Sequence, residues 1–220
     1  MIVMKFGGTS VGSVDAINNV AKIVHSRHDL QPIVVVSAMS GMTDVLVQMA
    51  KASYQGTLPK SLIEEAKGRH IDTAETLLDT SESNRLATMF RSMFEELEDI
   101  CRGITLLQEL TPRTKDLISS FGERLSAPLV AAVLRHFGIA AEAFDARLYI
   151  KTNERYTEAE VEFDETNRLI ANALIPAVES GTVPVVTGFV GSTPEGVTTT
   201  LGRGASDYTA SIVASAVHAA

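Results

Sequence analysis

Apolar residues in this 220-residue chain fall into two patterns, short unbroken runs and long periodic stretches. Ile33-Val34-Val35-Val36 has no polar alternation, so Pro32–Ser37 predicts a parallel strand covered on both faces, in the middle of a layered domain. Ile2–Phe6 reads as a second strand. Between them Val14, Ile17, Val20, Ala21 and Val24 recur at helical spacing, and Ser13 stands where a hydroxyl can accept from free amides. That predicts a helix over Val14–His25 with its N-cap at Ser13. Between 60 and 110 the spacing lengthens into more than four turns. Leu86, Met89, Phe90, Met93, Phe94, Leu97, Ile100, Cys101 and Ile104 form one apolar stripe, and with Leu62–Leu78 they predict a helical insertion whose Met and Phe side chains are packing. Phe163–Gly181 then predicts a helix closed by a glycine, Val183–Val186 a strand, and Ser206–His218 a helix. This order predicts an α/β fold, a three-layer α/β/α sandwich on a mainly parallel sheet.

Composition narrows the function classes. Hydrophobic residues make up 45% of the chain, enough for a full core. The 19 Lys+Arg against 27 Asp+Glu give a net charge of −8, and no basic block is present, so nucleic acid is not an expected partner. No secretory leader and no apolar run of membrane-span length are read, which sets a cytoplasmic expectation with no membrane partner. Cys101 is the single cysteine and lies on an apolar helical stripe, so it is expected to be a buried thiol without a catalytic role.

Open parallel sheets bind ligands at the carboxyl ends of their strands, and four polar clusters fall there. In the first, Lys5 ends an apolar run and Gly7-Gly8-Thr9-Ser10 follows, a turn whose amides and cation suit a phosphate. A strand end followed by an ordinary turn reads equally well. The second, Ser37–Asp44, leads into a helix start that suits an anion, with Ser37 and Thr43 either contacting a ligand or capping the helix. In the third, Glu123 is flanked at helical spacing by Ser119, Ser120, Ser126 and Ala127, which predicts a carboxylate with open space beside it. A surface acid on a closely packed helix is the alternative. The fourth is Thr198–Tyr208, where Arg203 offers a donor fork and Asp207 sits in a first helical turn, which an acid also favours by itself. Gly7 to Gly12 has P-loop separation but Ser13 replaces the required lysine. Gly202-Arg203-Gly204-Ala205-Ser206-Asp207 lacks the third glycine of a dinucleotide fingerprint.

In combination, Lys5-Phe6-Gly7-Gly8-Thr9-Ser10-Val11, Val36-Ser37-Ala38-Met39-Ser40-Gly41, Phe121-Gly122-Glu123-Arg124 and Thr200–Tyr208 resemble the motifs of the aspartokinase family, in the family's order. Thr152-Asn153 and Thr187–Gly191 resemble it as well. Ala205 departs from a glycine usual in the family. The resemblance implies the amino-acid-kinase fold and transfer of the ATP γ-phosphate to the side-chain carboxylate of L-aspartate, giving 4-phospho-L-aspartate for lysine, threonine and methionine synthesis. It implies catalytic roles for Lys5 and Asp207, nucleotide contacts from Lys5, Phe6, Gly7, Gly8 and Ser10, and aspartate contacts from Ser37, Thr43, Glu123, Arg203 and Ser206. Mg²⁺ is expected to arrive on ATP, with no protein metal ligand assigned. The family continues through a Trp-Thr-Asp strand that holds the nucleotide and then regulatory ACT domains. Residues 1–220 are therefore expected to be a catalytic domain truncated before its nucleotide-binding part, and a homo-oligomer. Two alternatives remain at this point, an aspartate-binding module without turnover and a sibling kinase for glutamate or N-acetylglutamate.

Overall fold

The computed structural model of the protein describes residues 1–202 and 204–219. Four parallel strands form the central sheet in the order β1-β2-β4-β3, with β1 Ile2–Phe6, β2 Pro32–Val36, β3 Ala141–Phe144 and β4 Val183–Thr187. As its sequence predicts, β2 is buried at every position, because β1 and β4 flank it and helices cover both faces. Side chains divide by parity. Val34 and Val36 enter one core and Ile33 and Val35 the other, as the two-residue period of a strand requires.

Helices α1 (Val14–Ser26), α2 (Met42–Tyr54), α3 (Lys60–Leu77), α4 (Thr80–Leu107) and α5 (Pro112–His136) build the larger core. Ser13 caps α1 as expected, its hydroxyl accepting the Ala16 amide at 3.3 Å. The segment read as a helical insertion is the α3–α4 hairpin. It stacks on α2 and α5, while α5 lies directly on β3 and β4, so the hairpin extends the core outward from those two helices. Cys101 is fully buried there.

The other face carries α6 (Phe163–Glu179) and α7 (Ala205–Ala216), with α7 packed against β1 and β2. A small antiparallel ribbon, β5 (Val190–Ser192) with β6 (Thr198–Thr200), leads into α7. One expectation fails. Helix α5 does have the length and hydropathy of a membrane span, but the fold buries 78% of that apolar window, which accounts for the composition of a core helix.

Candidate active site

Phe6, Val36 and Thr187 lie in register, so β1, β2 and β4 end level with one another. The chain leaving each of them, together with the start of α7, walls a cavity of about 460 Å³. Its lining includes Lys5, Gly8, Ser37, Thr43, Glu123, Ser206 and Asp207, which come from segments up to two hundred residues apart in sequence. All of these were expected site residues. The lining also includes Thr9, Ser40 and Phe189.

Lys5 Nζ stands 3.0 Å from Asp207 Oδ1, joining the end of β1 to the first turn of α7. A carboxylate there complements the positive end of the helix as well as the ammonium. The pair is not sealed off, since the Lys5 side chain is 26% exposed and that of Asp207 is 74% exposed. A cation with this much access can turn from its partner toward a ligand.

The glycine turn after β1 differs from expectation. A Cβ on Gly8 would lie 2.9 Å from the Ala38 carbonyl, so the small residue serves the approach of the neighbouring loop. Ser10 donates its amide to Gly7 O at 2.9 Å, and Ser40 donates to Gly8 O at 3.1 Å, closing the turn onto the chain after β2. Phe6, Gly7 and Ser10 fall outside the cavity lining. Phe6 packs its ring into the larger core, and its carbonyl accepts the Ser37 amide at 3.1 Å.

Neither Ser37 nor Thr43 caps α2. The cap position is Gly41, at φ +78°, with no side-chain bond to the helix, so both hydroxyls are left for the cavity they line. Arg203 lies outside the described residues.

Glu123 corrects the expectation of open space. It is buried, only 5% exposed, and its Oε1 accepts the Ala38 amide at 3.0 Å. The small residues around it bring α5 close to the loop after β2. A Cβ on Gly122 would lie 2.6 Å from Ala38 Cβ. Burial raises the Glu123 carboxyl to about 7, against the opposing pull of the Ala38 amide. The free cavity floor is therefore an acid poised to ionise when a cation arrives. Gly122→Ala is expected to force α5 and the Ala38 loop apart, costing about 1–3 kcal/mol of stability by overpacking. Chemical denaturation checks the loss.

Arg69, which the sequence did not single out, ties the loop after β2, which lines the site, to the chain before α1. From α3 its Nη1 donates to Ser40 O at 2.7 Å and its Nη2 to Gly12 O at 2.9 Å. A planar fork holds both carbonyls at fixed separation, which a lysine cannot reproduce. Arg69→Lys is expected to destabilise the protein by about 2 kcal/mol. Its thermal midpoint should fall by several degrees, measurable by circular dichroism.

The comparisons with known proteins agree with this geometry. The model of the amino acid kinase family matches residues 1–220. The lysine-sensitive aspartokinase 3 of Escherichia coli is 38% identical, aligned over all of this chain and 47% of its own length. Aspartokinase 1 of Arabidopsis thaliana, chloroplastic, is 36% identical over 98% of this chain and 38% of its own. The chain thus spans about half the length, or less, of these relatives. Among solved structures, E. coli aspartokinase III in complex with aspartate and ADP superposes with a TM-score of 0.90 at 34% identity, covering 100% of this chain and 47% of that one. On the family match over its whole length, and on the sheet and cavity described above, this chain belongs to the amino acid kinase family.

Proposed function

We propose that this chain is the aspartate-binding part of an aspartate kinase, which transfers the γ-phosphate of ATP to the side-chain carboxylate of L-aspartate. The single observation that carries the reading is one cavity bounded by a cation, Lys5, and a buried acid, Glu123, of a size for a small amino acid and an incoming phosphoryl group. The relatives named aspartokinase, and the solved neighbour holding aspartate and ADP, support it.

The chemistry follows from the residue types. A free aspartate side chain has a pKa near ~3.9 and is already ionised at neutral pH, so the nucleophile needs no general base. Catalysis then consists of positioning two anions against each other and offsetting their charge. Lys5 supplies a mobile cation at the strand end, and Asp207 fixes where its ammonium rests. Glu123 accepts the α-ammonium of the substrate, giving up its own proton as the ammonium replaces it. Ser37, Thr43 and Ser206 donate hydroxyls from the walls. No group of three or more His, Cys, Asp or Glu that could hold a metal occurs among the described residues. Mg²⁺ would arrive on the nucleotide and would neutralise charge on its phosphates. The same reading carries a cytoplasmic setting and a homo-oligomer.

A coupled ADP-release assay comparing L-aspartate, L-glutamate and N-acetyl-L-glutamate, alongside calorimetric titration of each, tests the proposal. Aspartate-dependent ADP release at least tenfold above the other two acids is expected. Preference for another acid assigns a sibling kinase, and aspartate binding without ADP release assigns a binding module.

A further inference from the structure

We infer that Asp116 is a positioning residue for this site, acting through the segment that joins β6 to α7. Asp116 lies on α5 seven residues before Glu123, two helical turns away on the same face, and is only 2% exposed. The two carboxylates divide the work. Glu123 takes hold of the loop after β2 through the Ala38 amide, whereas Asp116 takes hold of the end of β6. Its Oδ2 accepts the Thr200 amide at 3.0 Å and the Thr157 amide at 2.8 Å, and its Oδ1 accepts the Thr200 hydroxyl at 2.7 Å.

Thr157 sits at φ +75°, where a β-branched residue is strained, so the bond from Asp116 holds a conformation the chain would not adopt alone. That strained residue is the seat of the active-site segment. Thr157 O lies 3.7 Å from where a Cβ of Gly202 would project, and the neighbouring Ala159 donates its amide to Thr200 O at 2.9 Å. Between Thr200 and α7, Gly202 and Gly204 both have positive φ. The segment's far end is secured in the first turn of α7, where Thr209 Oγ1 donates to Ala205 O at 2.9 Å. Its near end is secured by Asp116. Releasing that end shifts the segment that delivers Ser206 and Asp207 to Lys5. The inference rests on the aspartate-kinase reading for its ligand, but not for its geometry.

The test measures amide hydrogen exchange and L-aspartate affinity in the wild-type protein, Asp116→Ala, Asp116→Asn and Thr200→Val. Asparagine keeps an oxygen for both amides, and its NH₂ donates to the Thr200 hydroxyl, so D116N should stay within threefold of wild type in both readouts. D116A should exchange Thr157 and Thr200 amides at least tenfold faster, with β2 amides unchanged, and bind aspartate at least tenfold more weakly. T200V loses the hydroxyl bond alone and should weaken aspartate three- to tenfold, a readout that stands where D116A does not fold. Unchanged exchange at Thr157 and Thr200 in D116A, unchanged aspartate affinity in T200V, or D116N as impaired as D116A would overturn the inference. Absence of aspartate binding in the wild type would instead remove the functional reading, and exchange would still decide the role of Asp116.

Discussion

Replacing Lys5 by alanine is expected to cut aspartate-dependent ADP release about a thousandfold, the scale of losing one preorganised charge aimed at a transition state. On the proposed function two anions meet in this cavity, and one ammonium lies between the strand end and the α7 turn, where it would offset them. Without it Asp207 is left facing the cavity, and the electrostatic contribution changes from attraction to repulsion for both ligands. Stability should barely move. The Lys5–Asp207 pair is accessible to water, and pairs of that kind contribute less than ~1 kcal/mol, so the melting temperature is expected to stay within about 3 °C. Loss of turnover with an intact melting curve is the signature to look for. A variant retaining more than a tenth of the wild-type rate would exclude Lys5 from the phosphoryl site.

Glu123→Gln is expected to produce opposite changes in binding and in stability. Gln keeps an oxygen for the Ala38 amide but holds no charge, so aspartate affinity should fall about a hundredfold as a buried ammonium loses its partner. Stability should rise at neutral pH. The Glu123 carboxyl is held near 7 in the folded protein against 4.5 in the unfolded chain. The folded state therefore binds the extra proton between those values, and stability is lost as pH rises through them. The whole cost is present above pH 7 and absent below 4.5, and it amounts to at most about 3 kcal/mol. The stability difference between variant and wild type should grow from near zero at pH 4.5 to its full value by pH 8.

His70 acts in the other direction. It is buried, with Nδ1 on the Ala66 carbonyl at 2.7 Å and Nε2 without a partner among the described residues, and burial lowers its pKa from 6.5 to about 4. The unfolded chain takes up that proton first, so this contribution to stability is lost as pH falls from 6.5 toward 4. In the wild type the two groups oppose each other over most of that window. The Gln variant leaves His70 unopposed, and urea denaturation from pH 4.5 to 8 should show a steeper acid-side loss. A flat difference between variant and wild type would mean Glu123 is ionised in the free protein.

Much of the fold was legible because burial on both faces writes an unbroken apolar run, as in β2, and burial on one face writes a periodic stripe, as in α4. Strand β3 was not legible. Ala-Glu-Ala-Phe is four residues long at the sheet edge, with Glu142 exposed, and has neither pattern. The site was legible as separate polar clusters at strand ends, and the resemblance to aspartokinases joined them. Their meeting in one cavity is a tertiary fact, since Lys5 and Asp207 approach only once α7 packs on β1. Small residues misled at Glu123, because the serines and alanine that suggest free space stand beside Gly122, which lets the helix and a loop close on each other. Arg69 and Asp116 left no trace because they grip backbone carbonyls and amides, which every sequence supplies.

The most direct measurement is a crystal structure of this chain soaked with L-aspartate and a non-hydrolysable ATP analogue. The account predicts aspartate in the 460 Å³ cavity, its α-ammonium on Glu123 and its side-chain carboxylate toward Lys5, with the terminal phosphate at the same lysine. Aspartate bound elsewhere, or seated there with its ammonium away from Glu123 and its carboxylate away from Lys5, would contradict it.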